Sequence, residues 1–84
     1  MRLDDYLSTV GVIKRRTVAK EMASNGLVLI NGRKAKAAAE VNIHDIIQIK
    51  GSRPYALEVL EVPSGASVAK DQREKYFKPL PVAG

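Results

Sequence analysis

The residues best suited to a chemical role are basic, and they cluster where one predicted helix begins. Lys14, Arg15 and Arg16 are consecutive, and Lys20 follows Arg16 by four residues, which places Arg16 and Lys20 on one helix face. Residues 1–36 hold eight Lys/Arg residues against three Asp/Glu residues, whereas the rest of the chain holds six of each. This concentration of positive charge predicts a polyanionic partner, because neutralising phosphates releases condensed counterions.

Side chains suited to catalysis or metal binding are sparse. The chain has no cysteine, which excludes thiol catalysis, thiolate metal sites and disulfide bonds. His44 is the only histidine and lacks partners at metal-ligand spacing, so a role in a turn is expected. Asp4 and Asp5 are adjacent, and adjacent helix residues point about 100° apart, so we expect them to stabilise a helix start and orient a neighbouring arginine. We therefore expect no enzyme, no metal and no cofactor.

Length and composition predict a single small domain in a reducing compartment. The chain has 84 residues, of which 45% are hydrophobic, enough for a compact core. The absence of disulfides in so small a domain favours the cytoplasm. Acids at positions 4 and 5 argue against a signal peptide, and no apolar run approaches the ~20 residues of a membrane span. We expect a cytoplasmic monomer without a membrane partner.

The first 25 residues predict two helices that form a hairpin. Apolar residues at helical spacing predict a helix over residues 2–10, namely Leu3, Tyr6, Leu7 and Val10. A second apolar stripe predicts a helix over residues 14–25, namely Val18, Ala19, Met22 and Ala23. Lys14 stands at the expected N-cap, where a lysine cannot accept N–H bonds. Asn25-Gly26 ends the second helix, because glycine adopts a left-handed conformation without steric cost.

The remainder of the chain predicts a small sheet followed by a tail. Residues 27–30 and 33–35 flank Asn31-Gly32, a pair typical of a type I′ hairpin turn. Residues 36–41 are expected to form a loop, and strands are expected at residues 46–50 and 55–62, the latter with one face formed by Tyr55, Leu57 and Val59. Residues 70–76 favour a short polar helix. Tyr76-Phe77, flanked by Lys75 and Lys78, is expected to pack onto the domain, with stacking on RNA as the alternative. Pro79 and Pro81 are expected to exclude regular structure.

These elements predict an α+β fold, with a helical hairpin packed on a small, mostly antiparallel, twisted sheet. Residues 1–62 are predicted to form the domain and residues 63–84 a basic C-terminal tail that is mobile in isolation.

The order of these features resembles a known RNA-binding domain. Arg15-Arg16 opens a helix, Asn25-Gly26 closes it, and Ile30-Asn31-Gly32 forms a turn before a lysine–alanine stretch. Val41, Asp45, Ile47 and Ile49 follow, and the chain begins Met1-Arg2-Leu3-Asp4. Over residues 1–62 this pattern resembles the domain first described in small-subunit ribosomal protein four, the S-four domain. The resemblance implies RNA binding through the helical hairpin, the αL-type RNA-binding motif.

A narrower resemblance rests on residues 13–21, IKRRTVAKE, and on the chain's short length. These features are similar to the RqcP family of ribosome-associated quality-control factors, with heat-shock protein fifteen as a relative. The resemblance implies binding to a large ribosomal subunit that carries peptidyl-tRNA, with contacts to rRNA and tRNA together. It also implies a partner factor that directs C-terminal tailing of the stalled nascent chain.

The sequence departs from the wider family at two positions. Many members have Ser where Lys14 stands, so Lys14 exchanges capping for charge. The usual Gly-Asp pair before the later strand is here His44-Asp45. If that turn needs a positive φ, His44 carries strain.

The predicted RNA-binding residues lie in three groups, and each group has an ordinary structural alternative. The helix-start cations form a phosphate site or a solvated face. Arg2 binds RNA or pairs with a nearby acid, and Thr17 contacts phosphate or its own backbone. The basic residues after the hairpin turn contact a sugar-phosphate chain or protect an edge strand. The complete set is Arg2, Lys14, Arg15, Arg16, Thr17, Lys20, Arg33, Lys34 and Lys36.

Two other binding functions are compatible with a basic domain of this size. A heat-shock-protein-fifteen-like or ribosome-assembly protein would bind rRNA without requiring tRNA. A DNA-binding helix-turn-helix protein is more remote, because a sheet follows the helical hairpin and no clear dimer surface is predicted.

Overall fold

The computed structural model describes residues 1–63 and 72–82. The helices are α1 (Leu3–Thr9), α2 (Arg16–Ser24) and α3 (Arg73–Tyr76). The strands are β1 (Val28–Ile30), β2 (Arg33–Lys34), β3 (Ile46–Ile49), β4 (Tyr55–Val59) and β5 (Phe77–Leu80). They form one antiparallel sheet in the order β2-β1-β3-β4-β5. The predicted α+β fold, with a helical hairpin on an antiparallel sheet, is confirmed.

Helix α2 begins two residues later than the sequence pattern predicted. Arg15 is extended, with φ −117° and ψ 130°, and its carbonyl accepts the first helical bond from Ala19 N–H at 3.1 Å. Ile13 N–H donates to Leu7 O at 3.1 Å, which ties the connection back onto α1 and keeps it out of the helix. Arg15 is therefore the N-cap, and the prediction that Lys14 occupies this position is wrong.

The turns adopt the conformations that their residues favour. Asn31 has φ 53° and Gly32 has φ 83°, and Ile30 pairs with Arg33 directly across them, so the predicted two-residue hairpin is confirmed. Gly26, with φ 72°, follows the end of α2 as predicted. His44 has φ 76°, so the residue that replaces glycine in the family pattern does lie in the left-handed region.

The core lies between α1 and one face of the sheet. The apolar face of α1 is fully buried against the inward residues of the central strands, among them Ile47 and Leu57. Tyr55, Leu57 and Val59 share the inward face of β4, as their alternation predicted, and all three belong to or pack against this core. Tyr6 is buried, and its hydroxyl donates to Tyr76 O at 2.9 Å.

The end of the chain completes the sheet, which corrects one prediction. β5 pairs with β4 through Pro79, opposite Leu57, and Phe77, opposite Val59. Pro79 is tolerated because β5 is an edge strand, where a missing N–H donor need not break a ladder on both sides. The prediction that Pro79 excludes regular structure is therefore wrong, whereas the predicted packing of Phe77 is confirmed by its burial in the core.

Part of the predicted tail lies outside the described residues. The predicted helix at residues 70–76 is present from Arg73 onward, as α3. The expected mobility of the tail concerns residues 63–84, of which 64–71 and 83–84 lie outside the described residues. The division of the chain after residue 62 stays a prediction. No helix within the described ranges is long and apolar enough to cross a membrane.

Candidate nucleic-acid interface

A buried carboxylate lies at the centre of the basic surface. Asp4 is 1% exposed, and its Oδ1 accepts bonds from Arg2 Nε at 3.2 Å and from Asp5 N–H at 2.9 Å. Its Oδ2 accepts bonds from Arg2 Nη2 at 3.2 Å and from Arg16 Nε at 3.3 Å. Arg2 therefore forms a bidentate pair with the Asp4 carboxylate, and Arg16, at the start of α2, donates to the same group.

Hydrogen bonds keep Asp4 ionised despite its burial. Burial alone would raise the pKa of the Asp4 carboxyl, since it disfavours the charged form. The hydrogen bonds from Arg2, from Asp5 N–H and from Arg16 outweigh this effect and lower the pKa below its ordinary value. A fully ionised Asp4 holds both guanidinium groups at fixed positions near neutral pH.

The two arginines keep surface for a ligand although they are paired. Arg2 is 45% exposed and Arg16 is 53% exposed. Arg16 also forms an ion pair with Asp5, with Nη1 3.0 Å from Oδ1, so two carboxylates neutralise part of its charge near the start of α2. This pairing reduces the repulsion between the Arg16 guanidinium and the positive N-terminal end of the α2 dipole. We call Arg2, Asp4 and Arg16 the arginine cluster.

The start of α2 extends the arginine cluster. Lys14 and Arg15 are exposed, and neither has an ion-pair partner among the described residues. No described side chain caps the helix, so its first N–H groups remain available to water or an anion. The structure thus keeps the predicted cations at this helix start, with Arg15 and not Lys14 at the N-cap.

Thr17 and Lys20 lie together on the outer surface of α2. Both are exposed, and they line a shallow groove of about 400 Å³ with Glu21, Ser24 and Asn25. Glu21 places one negative charge beside Lys20, so this part of the helix is less positive than its start. Thr17 has no hydrogen-bond partner among the described residues, and its proposed phosphate contact stays a prediction.

A turn rich in alanine joins the arginine cluster to the hairpin. Leu3 N–H donates to Ala39 O at 2.8 Å, and Asp4 N–H donates to Ala37 O at 3.1 Å. These carbonyls satisfy two of the first-turn N–H groups that a helix leaves unpaired. The turn therefore fixes the start of α1, and Arg2 with it, relative to the strand that carries Arg33 and Lys34.

Arg33, Lys34 and Lys36 form a second group of exposed cations. They line a shallow depression, and none has an ion-pair partner within residues 1–63 and 72–82. The stem of Lys34 lies over Gly26, where an added Cβ would be 3.4 Å from Lys34 Cδ. The open backbone at Gly26 thus gives this side chain room to lie against the end of α2.

Sequence analysis anticipated part of this arrangement and missed part of it. It predicted that the acids at positions 4 and 5 orient a neighbouring arginine, which the contacts of Arg2 and Arg16 confirm. It missed the link from Asn31 to the start of β3, where Asn31 Oδ1 accepts from Ile46 N–H at 2.9 Å and Nδ2 donates to Asp45 Oδ1 at 3.1 Å. It predicted a loop or short turn at residues 36–41, where the alanine turn lies, but missed that the carbonyls of this turn cap α1, because backbone carbonyls that cap a helix leave no signal in residue types.

No three His, Asp or Glu side chains converge as a metal site in the part of the chain that the structure describes. The exposed His44 ring lies beside Glu58, with Nδ1 3.5 Å from Oε2. Its place in a turn, as the sequence predicted, is the role that the structure gives it.

Known proteins resemble this chain in sequence and in fold. The S4 domain matches residues 1–47, more than half of the chain. The chain is 43% identical over 63 residues to an RQC P-site tRNA stabilizing factor of Streptococcus pneumoniae, covering 74% of this chain and 72% of that protein. It is 37% identical over 82 residues to a protein of the same name from Helicobacter pylori (strain ATCC 700392 / 26695), covering 94% and 95% of the two chains.

Among solved structures, the trimeric heat shock protein 15 of Vibrio cholerae superposes with a TM-score of 0.85, covering 95% of this chain and 81% of that chain. At 23% identity this likeness shows the fold. The predicted resemblance to the S-four domain is confirmed by the match over residues 1–47, which includes the complete arginine cluster. The predicted resemblance to RqcP is confirmed by the two relatives. The chain belongs to the S4 domain family and, within it, to the family of the RQC P-site tRNA stabilizing factors.

Proposed function

We propose that the protein is a non-catalytic, cytoplasmic RNA-binding factor that associates with large ribosomal subunits carrying peptidyl-tRNA. It contacts rRNA and tRNA together and, with a partner factor, supports C-terminal tailing of stalled nascent chains. The names of its relatives, which state that they stabilise the P-site tRNA, support this proposal. The RNA-binding residues proposed are Arg2, Lys14, Arg15, Arg16, Thr17, Lys20, Arg33, Lys34 and Lys36.

The observation that carries the proposal is the arginine cluster. Two arginines, one at the N-cap of α1 and one at the first position of α2, are held on one buried carboxylate while about half of each side chain stays exposed. Guanidinium groups with fixed orientation suit phosphate groups on neighbouring nucleotides, because their donors are already aligned when the RNA arrives. Such a surface reads the shape and the phosphates of RNA more than its base sequence.

Sedimentation with purified large subunits tests the proposed function. At low salt, the wild-type protein is expected to co-sediment with subunits that carry peptidyl-tRNA. Binding to subunits stripped of tRNA is expected to be weaker, since one of the two RNA contacts is then missing. If the protein stays at the top of the gradient with tRNA-bearing subunits, the proposed function is wrong. Equal binding to both kinds of subunit would instead support an rRNA-binding assembly protein.

An Arg16→Ala variant tests the site within this function. Each lost phosphate contact is expected to lower the slope of log affinity against log salt by about one. Lys78→Ala is the matched control. Lys78 is also an exposed cation, but it lies on β5, at the opposite edge of the sheet from β2, which carries Arg33 and Lys34 of the proposed interface. Equal slopes for Arg16→Ala and the wild-type protein would remove Arg16 from the interface. A duplex-DNA competitor that displaces the subunits would favour a DNA-binding function.

We further propose that the protein acts as a monomer. Large hydrophobic side chains exposed in the described residues are few and lie on separate elements, namely Val18, Ile43, Leu60 and Val82. A stable homodimer normally buries a continuous apolar patch. Light scattering at micromolar concentration should give the mass of one 9.2 kDa chain, and a trimeric mass would contradict this proposal.

A further inference from the structure

The depression beside the β1–β2 hairpin combines an apolar floor with a basic rim. Ile30, Ala35, Ala38 and Ala39 form the floor, and the space above it is about 470 Å³. Arg33, Lys34 and Lys36 form the rim. None of the described lining residues is acidic, and three are cations, so the lining itself favours a negatively charged ligand.

The size and chemistry of the depression match one unstacked nucleotide. A nucleobase is flat and largely apolar on its faces, so it gains by covering the alanine and isoleucine side chains. The phosphates on either side of that base would then meet the cationic rim. An RNA segment supplies both parts in one ligand, whereas an acidic peptide supplies the charge without a flat apolar face.

A backbone hydrogen bond links the depression to the arginine cluster. Ala39, in its floor, accepts the N–H of Leu3 at 2.8 Å, and Leu3 adjoins both Arg2 and Asp4. A nucleotide in the depression and a phosphate at Arg2 would therefore occupy fixed positions relative to each other. This geometry favours one continuous RNA strand that contacts both places.

We propose that this depression is a subsite for a single unstacked nucleobase of the bound RNA, with its flanking phosphates on Arg33, Lys34 and Lys36. The proposal rests on the proposed RNA-binding function and adds a base-contacting subsite to a surface otherwise expected to read phosphates.

NMR titration of the full chain with two pentamers tests the subsite. One probe is a single-stranded oligoadenosine ribonucleotide, and the other is an abasic ribose-phosphate oligomer of equal length. We expect saturable shifts of the Ala38 and Ala39 methyl resonances with oligoadenosine only. Affinity should be about fivefold lower for the abasic probe, the factor expected from shielding roughly 40 Å² of apolar surface. Indistinguishable shifts and affinities for the two probes would overturn the proposal.

An Ala38→Leu variant tests the subsite by filling it without a change of charge. Ala38 is exposed, so leucine is accommodated there without repacking the core. We expect about fivefold weaker binding of oligoadenosine and unchanged binding of the abasic probe. Ser52→Leu, at an exposed position of the β3–β4 turn, should leave both affinities unchanged. Wild-type affinity of Ala38→Leu for oligoadenosine would also overturn the proposal.

The outcomes separate the subsite from the wider function. If Ala38→Leu and the probes show no base contact while the wild-type protein still co-sediments with tRNA-bearing subunits, the subsite proposal alone has failed. If co-sedimentation is lost as well, the proposed function has failed with it. Methyl shifts with a pentaglutamate peptide, and none with oligoadenosine, would assign the depression to an acidic peptide and overturn the nucleotide proposal.

Discussion

The guanidinium of Arg16 lies against the buried carboxylate of Asp4, with Arg16 Nε 3.3 Å from Asp4 Oδ2. Asp4 is in the first turn of α1 and Arg16 begins α2, so the helical hairpin brings the starts of its two helices to one point. Arg2 binds the same carboxylate, and one buried anion therefore sets the spacing of two surface cations. This relationship makes Asp4 a positioning residue for the proposed RNA interface.

The stability of the protein should fall in acid partly because of Asp4. Its pKa is lowered from the ordinary value of 3.8, because hydrogen bonds from Arg2, Asp5 N–H and Arg16 outweigh the effect of burial, which raises it. A folded-state pKa below the unfolded value contributes stability that is fully present above the unfolded pKa and is lost as the pH falls through the folded pKa. Asp4→Asn should therefore lose less stability than the wild-type protein as the pH falls from neutral through and below the ordinary carboxyl range.

Urea unfolding across this pH range measures the effect. Glu21→Gln is the control, since Glu21 is exposed and has no ion pair among the described residues. The control should retain the acid sensitivity of the wild-type protein. An Asp4→Asn curve parallel to the wild-type curve would show that the ionised Asp4 does not contribute.

The same Asp4→Asn variant should bind subunits that carry peptidyl-tRNA more weakly, although it raises the net charge by one. Loss of the carboxylate frees Arg2 and Arg16 to leave their fixed orientation, and we expect an affinity loss of about fivefold. Glu21→Gln raises the net charge equally and should bind at least as well as the wild-type protein. Tighter binding by Asp4→Asn in the sedimentation assay would mean that only total charge matters.

Replacing His44 by glycine should stabilise the fold. His44 has φ 76°, a region costly for residues with a Cβ, and its N–H bond to Val59 O at 2.7 Å remains available to glycine. We expect a gain of about 0.5–1 kcal/mol in the free energy of unfolding, after allowing for the added flexibility of glycine in the unfolded chain. His44→Ala is the control and should not be stabilised, because it retains the Cβ. A lower thermal midpoint for His44→Gly than for the wild-type protein would contradict this account.

Tyr6→Phe should weaken the attachment of the C-terminal segment to the core. The buried Tyr6 hydroxyl donates to Tyr76 O at 2.9 Å, and burial raises its pKa, so the phenol stays protonated and remains a donor. We expect a loss of about 0.5–1.5 kcal/mol, since Tyr76 O still accepts the N–H groups of Leu60 and Glu61. Tyr55→Phe is the control, and its hydroxyl has no partner among the described residues. Equal unfolding free energies for the two variants would show that the Tyr6 bond adds nothing.

Two substitutions of Asn31 should separate its backbone role from its side-chain role. Asn31→Gly keeps the positive φ of the turn but loses the bonds to Asp45 and Ile46 N–H, at an expected cost of about 1 kcal/mol. Asn31→Ala loses the same bonds and adds backbone strain, so it should cost about 1 kcal/mol more. Urea unfolding measures both values. Equal stability of the two variants would indicate that the turn relaxes away from its left-handed conformation.

Local patterns predicted most elements but placed their ends less well. Helical spacing located both N-terminal helices, and Asn31-Gly32 located the hairpin, because these signals act within a few residues. The start of α2 was misplaced by two residues, since the bond from Ile13 to Leu7 that holds the connection is tertiary. β4 ends at Val59 because Leu60 and Glu61 donate to Tyr76 O and leave the ladder, a contact with a distant part of the chain. The long-range pairing of β5 with β4 places Pro79 in an edge strand, which local patterns did not predict.

The sequence by itself determined that the protein is basic near its start, has two amphipathic helices and a sheet, and belongs with RNA-binding domains. Residue types and short spacings carry that information, because charge and periodicity are local properties. Only the tertiary structure decided that Asp4 is buried between Arg2 and Arg16, and that backbone carbonyls of the alanine turn cap α1. Those outcomes depend on which groups the hairpin and the loop bring within hydrogen-bond distance, and burial then converts an ordinary carboxylate into the fixed centre of a cationic surface.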